Sequence, residues 1–192
     1  MTAPALRYEP VFARSVAPLV VLGIDPGLTR CGYACLHAEG PQRVKPVAMG
    51  VIRTAPTDPL PTRLAELRGE LATLMAELVP DVVVVEHVFF QVNVRTAMSV
   101  GQASGLALAE AASRGCVVVQ YTPNQVKQIV TGSGSADKAQ VQKMVQARLK
   151  LATLPKPADA ADAAALALCH LALVPMQARV AAAVNHARGG VA

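Results

Sequence analysis

Apolar and polar positions along the chain fall into two rhythms. Leu19 to Ile24 (L-V-V-L-G-I) is a near-continuous apolar run stopped by Asp25-Pro26-Gly27, which predicts a strand buried on both faces in the middle of a sheet. Cys31 to His37 and Val44 to Arg53 predict two more strands, and the short turns between the three imply antiparallel neighbours. Between Pro59 and Val79 the rhythm changes. Leu64, Leu67, Leu71, Leu74 and Leu78 recur at helical spacing, with Arg63, Glu66, Arg68, Glu70 and Glu77 mostly elsewhere. That pattern predicts an amphipathic helix ended by Pro80.

Val82 to Glu86 (V-V-V-V-E) is the strongest strand signal in the chain. Asn93 to Arg114, rich in Ala, Gly and Ser, predicts a helix closed by Gly115, and Val117 to Val119 a fifth strand. Helical segments follow at Gln125–Val130 and Asp137–Leu151, separated by the loop Gly132-Ser133-Gly134-Ser135. A last Ala-rich helix is expected from about Ala158 to Leu173. A three-strand meander followed by α/β crossovers predicts an α/β fold, a mixed five-stranded sheet with helices on its faces. Residues 1–18, with three prolines, read as a poorly ordered leader to a single domain over residues 19–174. The Ala- and Arg-bearing tail, 175–192, has no predicted element.

Composition narrows the class. With 53% hydrophobic and 16% charged residues in a chain of 192, disorder, collagen and coiled coil are excluded and one domain is expected. Cys31, Cys35, Cys116 and Cys169 show no C-x-x-C pairing and read as free thiols in a reducing cytosol. The apolar stretch after Arg14 is interrupted by Pro18 and ended by Asp25, too short to span a bilayer. A soluble cytoplasmic protein with no membrane association is the expectation. The net charge is +5, and its location is more telling than its size. Lys127, Lys138, Lys143, Arg148, Lys150 and Lys156 face only Asp137 within one stretch, which therefore holds the whole excess. Contact with phosphate is the reading favoured over a merely solvated helix face.

Two buried-strand runs each end in an acid, Asp25 and Glu86. An ionised carboxylate beside a dry sheet interior costs several kcal/mol unless paired or bound to a cation. Two of them, on strands that a right-handed crossover makes parallel, are expected to face each other at one sheet end. Asp159 and Asp162, spaced i, i+3 near the start of the last helix, form a third acidic locus, with an ordinary helix cap as the plainer role for Asp159. Four carboxylates without clustered His or Cys make a hard-oxygen site suited to Mg²⁺ or Mn²⁺. Two such ions can activate water against a phosphodiester, which suits the basic stretch, so the residues point to a metal-dependent nuclease. Gly23-Ile24-Asp25-Pro26-Gly27 also resembles the phosphate loop of actin-like ATPases, but those need two such domains, and no Walker-type motif is present.

The residues also resemble a known family. G-I-D-P-G at 23–27 with T-R-C-G-Y at 29–33, P-D-V-V-V-V-E-H-V-F-F at 80–90, Q-V-K-Q-I-V-T-G-S-G-S-A-D-K-A-Q-V-Q at 125–142 and A-D-A-A-D-A-A-A-L-A at 158–167 are similar, in unbroken order, to the RuvC family of bacterial Holliday-junction resolvases. The resemblance implies an RNase H-like fold and two divalent ions, Mg²⁺ or Mn²⁺, held by Asp25, Glu86, Asp159 and Asp162. It implies a homodimer that binds a four-way DNA junction and nicks it symmetrically, leaving 5′-phosphate and 3′-hydroxyl ends, and that docks to a branch-migration motor complex. Phe89 matches an aromatic that stacks on a base at the opened junction. Lys127 and Lys138 match basic positions near the scissile phosphate, Lys138 with a catalytic role. Lys143, in the same basic stretch, joins them as a DNA contact. His87 follows Glu86 on a strand, points to the other face and is left out of the metal site. Gly101 and Gly105 suggest close helix packing, inside the fold or across a dimer. The rival reading is a junction-binding scaffold of the same fold without catalysis. The leader and the tail depart from the family pattern.

Overall fold

The apolar runs form strands, and their alternation decides which layer each side chain joins. The computed structural model describes residues 18–40, 43–87 and 94–189, and of 94–96 and 176–189 the backbone alone. Strands β1 (Leu19–Asp25), β2 (Arg30–Ala38), β3 (Val44–Arg53), β4 (Val82–Glu86) and β5 (Val117–Tyr121) form one sheet in the order β3-β2-β1-β4-β5. β2 runs antiparallel to β1 and β3, whereas β4 is parallel to both β1 and β5. The meander and the parallel crossovers are as the spacing predicts.

Helices cover both faces. Val21, Val82 and Val84 point into a core shared with α3 (Pro123–Thr131), α4 (Lys138–Leu149) and α5 (Ala158–Gly189). Leu22, Ile24, Val83 and Val85 point the other way, onto α1 (Leu60–Leu78) and α2 (Val94–Ser113). All four valines of β4 are fully buried, each contributing about 1.5–3 kcal/mol from area removed from water. Two capping boxes start the helices on the α5 side: Thr122 with Gln125 opens α3, and Asp137 with Gln140 opens α4. Cys31, Cys35 and Cys169 are buried free thiols, and Cys116 is a partly exposed one.

The last helix departs from expectation. Rather than stopping near Leu173, it continues through Pro175 to Gly189, so most of residues 175–192 extends the same helix. Proline removes one hydrogen bond from a helix interior, but the Ala-rich sequence on both sides has the highest helix propensity and carries the helix past it. The window Ala158–Pro175 is apolar enough to cross a membrane by composition, yet it is largely buried within the fold as a core helix. Its alanines lie directly on the sheet. A Cβ built on Gly23 of β1 would collide with the Ala163 carbonyl of α5, and one on Gly32 of β2 with the carbonyl of Asp159.

The same layer holds a buried polar pair where α5 crosses the end of β5. Tyr121 Oη and His170 Nδ1 share a 2.9 Å hydrogen bond, and burial pulls the imidazole pKa down to about 4. The folded protein therefore holds His170 neutral at pH values where an unfolded chain protonates it. The resulting stability is full above pH 6.5 and is lost as pH falls toward 4.

Two outcomes are expected. Gly23→Ala lowers unfolding free energy by about 2–4 kcal/mol, read from urea titration; an unchanged midpoint would mean α5 can lift off β1 without cost. Across pH 6.5 to 4, wild type loses up to about 3 kcal/mol more than His170→Gln, measured by the same titration at stepped pH. Parallel pH profiles of the two proteins would contradict the neutral imidazole.

Candidate active site

Strand parity assembles the acidic corner. Residues 21, 23 and 25 of β1 share a face, as do 82, 84 and 86 of β4, and in both strands this is the α5 face. Ile24 is opposite Val85 in the parallel register, so Asp25 and Glu86 are neighbours at the carboxyl ends of adjacent strands. α5 begins over the same corner because Gly32 admits its first turn. Asp159 and Asp162 thereby join the two strand acids, and all four are half-buried.

The electrostatics separate an inner pair from an outer pair. Burial raises the Asp25 pKa to about 7, aided by the carboxylates of Glu86, Asp162 and Asp159 and opposed by Lys138. Glu86 is also raised, by burial and then by Asp162, with Lys138 and Lys127 pulling the other way. The outer pair has cationic partners. Arg30, the first residue of β2, donates from Nε at 3.0 Å and from Nη2 at 2.5 Å to Asp159 Oδ2, and this holds the Asp159 carboxyl below its usual range. Lys138 Nζ, at the first position of α4, lies 3.3 Å from Asp162 Oδ2, and that carboxylate raises the lysine's pKa.

Polar struts hold the turn between β1 and β2. Thr54 Oγ1 donates to the Leu28 carbonyl at 2.6 Å. Arg63 of α1 donates to Thr54 Oγ1 at 3.0 Å and to Thr29 Oγ1 at 2.7 Å. The Asp25 strand end and the Arg30 strand start are thus tied to α1.

Of the residues singled out in the sequence, Asp25, Glu86, Asp159, Asp162 and Lys138 are brought to one corner, with Lys127 of α3 close enough to act on Glu86. Lys143 is exposed on α4, roughly 140° around the helix from Lys138, and faces away from the corner. Phe89 lies outside the described residues. His87 is just beyond β4, its backbone N–H donating to the Tyr121 carbonyl at 2.8 Å. Among the described residues, nothing lies within 4 Å of a Cβ added at Gly101 or Gly105. Arg30 and Gly32 are further site residues that the sequence pattern does not single out. A glycine inside a strand was the available signal for Gly32. Arg30 had none beyond its place in T-R-C-G-Y.

The donor set can be tested against a divalent ion. All the acidic groups are hard oxygens, and burial together with the neighbouring carboxylates raises Asp25 and Glu86, which a bound cation would offset. Among the described residues no three such side chains already converge as a ligand cage, and Asp159 and Asp162 are engaged by Arg30 and Lys138. The chemistry fits a hard divalent ion, with those two ion pairs as the groups to be displaced.

This sheet order, with carboxylates at the ends of β1 and β4 and at the start of α5, is that of an RNase H-like α/β domain. The family model for the crossover junction endodeoxyribonuclease RuvC matches residues 21–170. A RuvC from Salinispora arenicola is 51% identical over 170 residues, covering 88% of this chain and 97% of that protein. One from Rhodococcus jostii is 51% identical over 163 residues, covering 85% and 86%. Among solved structures, Thermus thermophilus RuvC in complex with a Holliday junction substrate superposes with a TM-score of 0.78 at 34% identity, covering 83% of this chain and 97% of that one. The yeast mitochondrial Holliday junction resolvase Ydc2, at 16% identity and a TM-score of 0.59, shares the fold. The chain belongs to the RuvC family of crossover junction endodeoxyribonucleases.

A stability consequence follows from Asp25. An acid whose folded pKa is raised destabilises the fold as it ionises, here between pH 4 and about 7. In EDTA at pH 8, Asp25→Asn should be more stable than wild type by about 1–3 kcal/mol, and the gain should vanish at pH 4. Denaturant melts at the two pH values check this; a loss of stability at pH 8 would contradict the crowding of the corner.

Proposed function

We propose that this chain resolves four-way DNA junctions by paired symmetric nicks, using divalent ions held by Asp25, Glu86, Asp159 and Asp162. The main support is the neighbouring placement of Asp25 and Glu86, two half-buried acids on adjacent parallel strands with too little positive charge around them. Two bound ions, Mg²⁺ or Mn²⁺, would supply Lewis acidity, activating the attacking water and stabilising the departing 3′ oxygen. The chain's own groups do the rest. The strand ends hold Asp25 and Glu86 rigidly, because β1 and β4 are the centre of the sheet. Lys138, 80% exposed at the start of α4, moves from Asp162 to the phosphate and offsets its extra negative charge in the transition state. Lys127 adds positive potential on the Glu86 side. Departure of the 3′ oxygen leaves a 5′-phosphate and a 3′-hydroxyl.

Lys143 serves as a more distant backbone contact, and Phe89, by family resemblance, stacks on a base at the opened junction. Two symmetric nicks need two corners, hence a homodimer. The open side of Gly101 and Gly105 on α2, with Met98 58% exposed nearby in the same helix, offers a face on which a second copy can approach closely. Docking to a branch-migration motor complex and a cytoplasmic location are carried over from the resemblance.

End-labelled four-way junctions and matched linear duplex, incubated with the protein in Mg²⁺, Mn²⁺ or EDTA, provide the test. Paired nicks confined to the junction and to the metal-containing reactions are expected. Asp25→Asn should bind the junction as wild type does at fixed salt while nicking at least about 10²-fold more slowly. Equal turnover by the variant would remove Asp25 from the chemistry, and tight binding without nicks in either metal would favour the scaffold reading.

A further inference from the structure

Among the described residues, Arg30 is the charged group at the acidic corner to which the proposed chemistry assigns no part. Its position is dictated by the sheet. Residues 30, 32, 34 and 36 of β2 share the α5 face, with Ala34 and Leu36 in the core under α5. Gly32 brings the first turn of α5 onto the strand, and Arg30, two residues earlier, meets Asp159. The contact has an unusual form. Both Nε and Nη2 donate to the same oxygen, Oδ2, rather than one to each oxygen as in a parallel fork. The guanidinium side chain is 38% exposed and the carboxylate 28% exposed, so the pair sits at the mouth of the corner, where an ion can reach it.

We propose that Arg30 is a positioning residue that acts as an internal counterion, competing with a divalent ion for Asp159 and so setting the ion concentration at which the corner fills. This rests on the assignment of the four carboxylates as metal ligands. The physical case is one of competition for one oxygen. A ligand oxygen already shared by two guanidinium donors must be released before it can take an ion, and a fixed positive charge beside the site opposes the arriving cation. Lys138 poses a weaker obstacle, because its single contact is longer and its side chain is 80% exposed. The inner acids, Asp25 and Glu86, have no ion pair of this kind among the described residues. Asp159 is therefore the ligand whose release governs filling.

The competition predicts a gain of affinity on removing Arg30, which a merely structural role cannot produce. Mn²⁺ binding to the full chain without DNA is followed by the electron paramagnetic resonance signal of free Mn²⁺, at fixed pH and ionic strength. Arg30→Gln should bind Mn²⁺ roughly three- to tenfold tighter than wild type, the size expected for loss of one partly exposed competing pair. In an Asp159→Asn background the same substitution should change nothing, because the contested carboxylate is gone. Unchanged or weaker binding by Arg30→Gln overturns the proposal. So does an equal gain in the Asp159→Asn background, which would reveal a general field effect. Asp25→Asn separates the two layers. If it leaves Mn²⁺ binding at the wild-type level, the four-carboxylate assignment fails and the Arg30 proposal falls with it. If it weakens Mn²⁺ binding while Arg30→Gln gives no gain, the Arg30 proposal alone fails.

Discussion

The close approach of α5 to β1 and β2 is the constraint on which the rest depends. A helix is normally held off a sheet by the side chains of both. Here Gly23 and Gly32 have no Cβ where the α5 backbone passes, and the helix presents Ala160, Ala161, Ala163, Ala164, Ala165 and Ala167, all buried. This contact forms the core of one layer and also fixes the chemistry. Lowering α5 onto β1 and β2 sets its first turn over the strand ends, so Asp159 and Asp162 meet Asp25 and Glu86. A larger residue at either glycine would separate the two halves of the acidic corner.

That corner trades stability for function. Burial and mutual repulsion raise Asp25 and Glu86, an arrangement a purely structural protein would relieve with amides or apolar side chains. Conflict of this kind between local stability and the site is expected where charge must be held ready for a ligand. The surrounding polar contacts limit the damage. Arg30 and Lys138 neutralise the outer acids, and the Arg63–Thr54–Thr29 struts keep the turn that carries Asp25 into β2 from relaxing away from the repulsion. The family and the electrostatics agree: a nuclease acting on a polyanion has to offset negative charge at the corner, and the cations the chain places there, Arg30 and Lys138, pair with the outer acids rather than the inner ones.

Much of this was legible in the chain. Unbroken apolar runs marked β1 and β4 as central strands, because only a strand covered on both faces can be apolar at every position. The acids ending them stood out for the same reason, and the leucine spacing of α1 and the Ala-rich start of α5 were plain. The end of α5 was not. Pro175 is a strong local stop signal, and the propensity of the alanines beyond it outweighs the single lost hydrogen bond. Nor did the sequence reveal that Gly101 and Gly105 of α2 meet no close neighbour among the described residues, since G-x-x-x-G indicates close approach without saying to what.

By itself, then, the sequence determined the elements, their faces and the identity of the acids, because periodicity and burial are properties of consecutive residues. Only the tertiary structure decided which partner each acid has. Arg30 and Asp159 lie far apart in the chain and meet only because antiparallel pairing, strand parity and Gly32 place β2 beneath α5. Lys138 reaches Asp162 for a similar reason, through the packing of α4 beside α5. Pairing of this kind depends on register and on the distance between layers, and no local pattern in the chain encodes either.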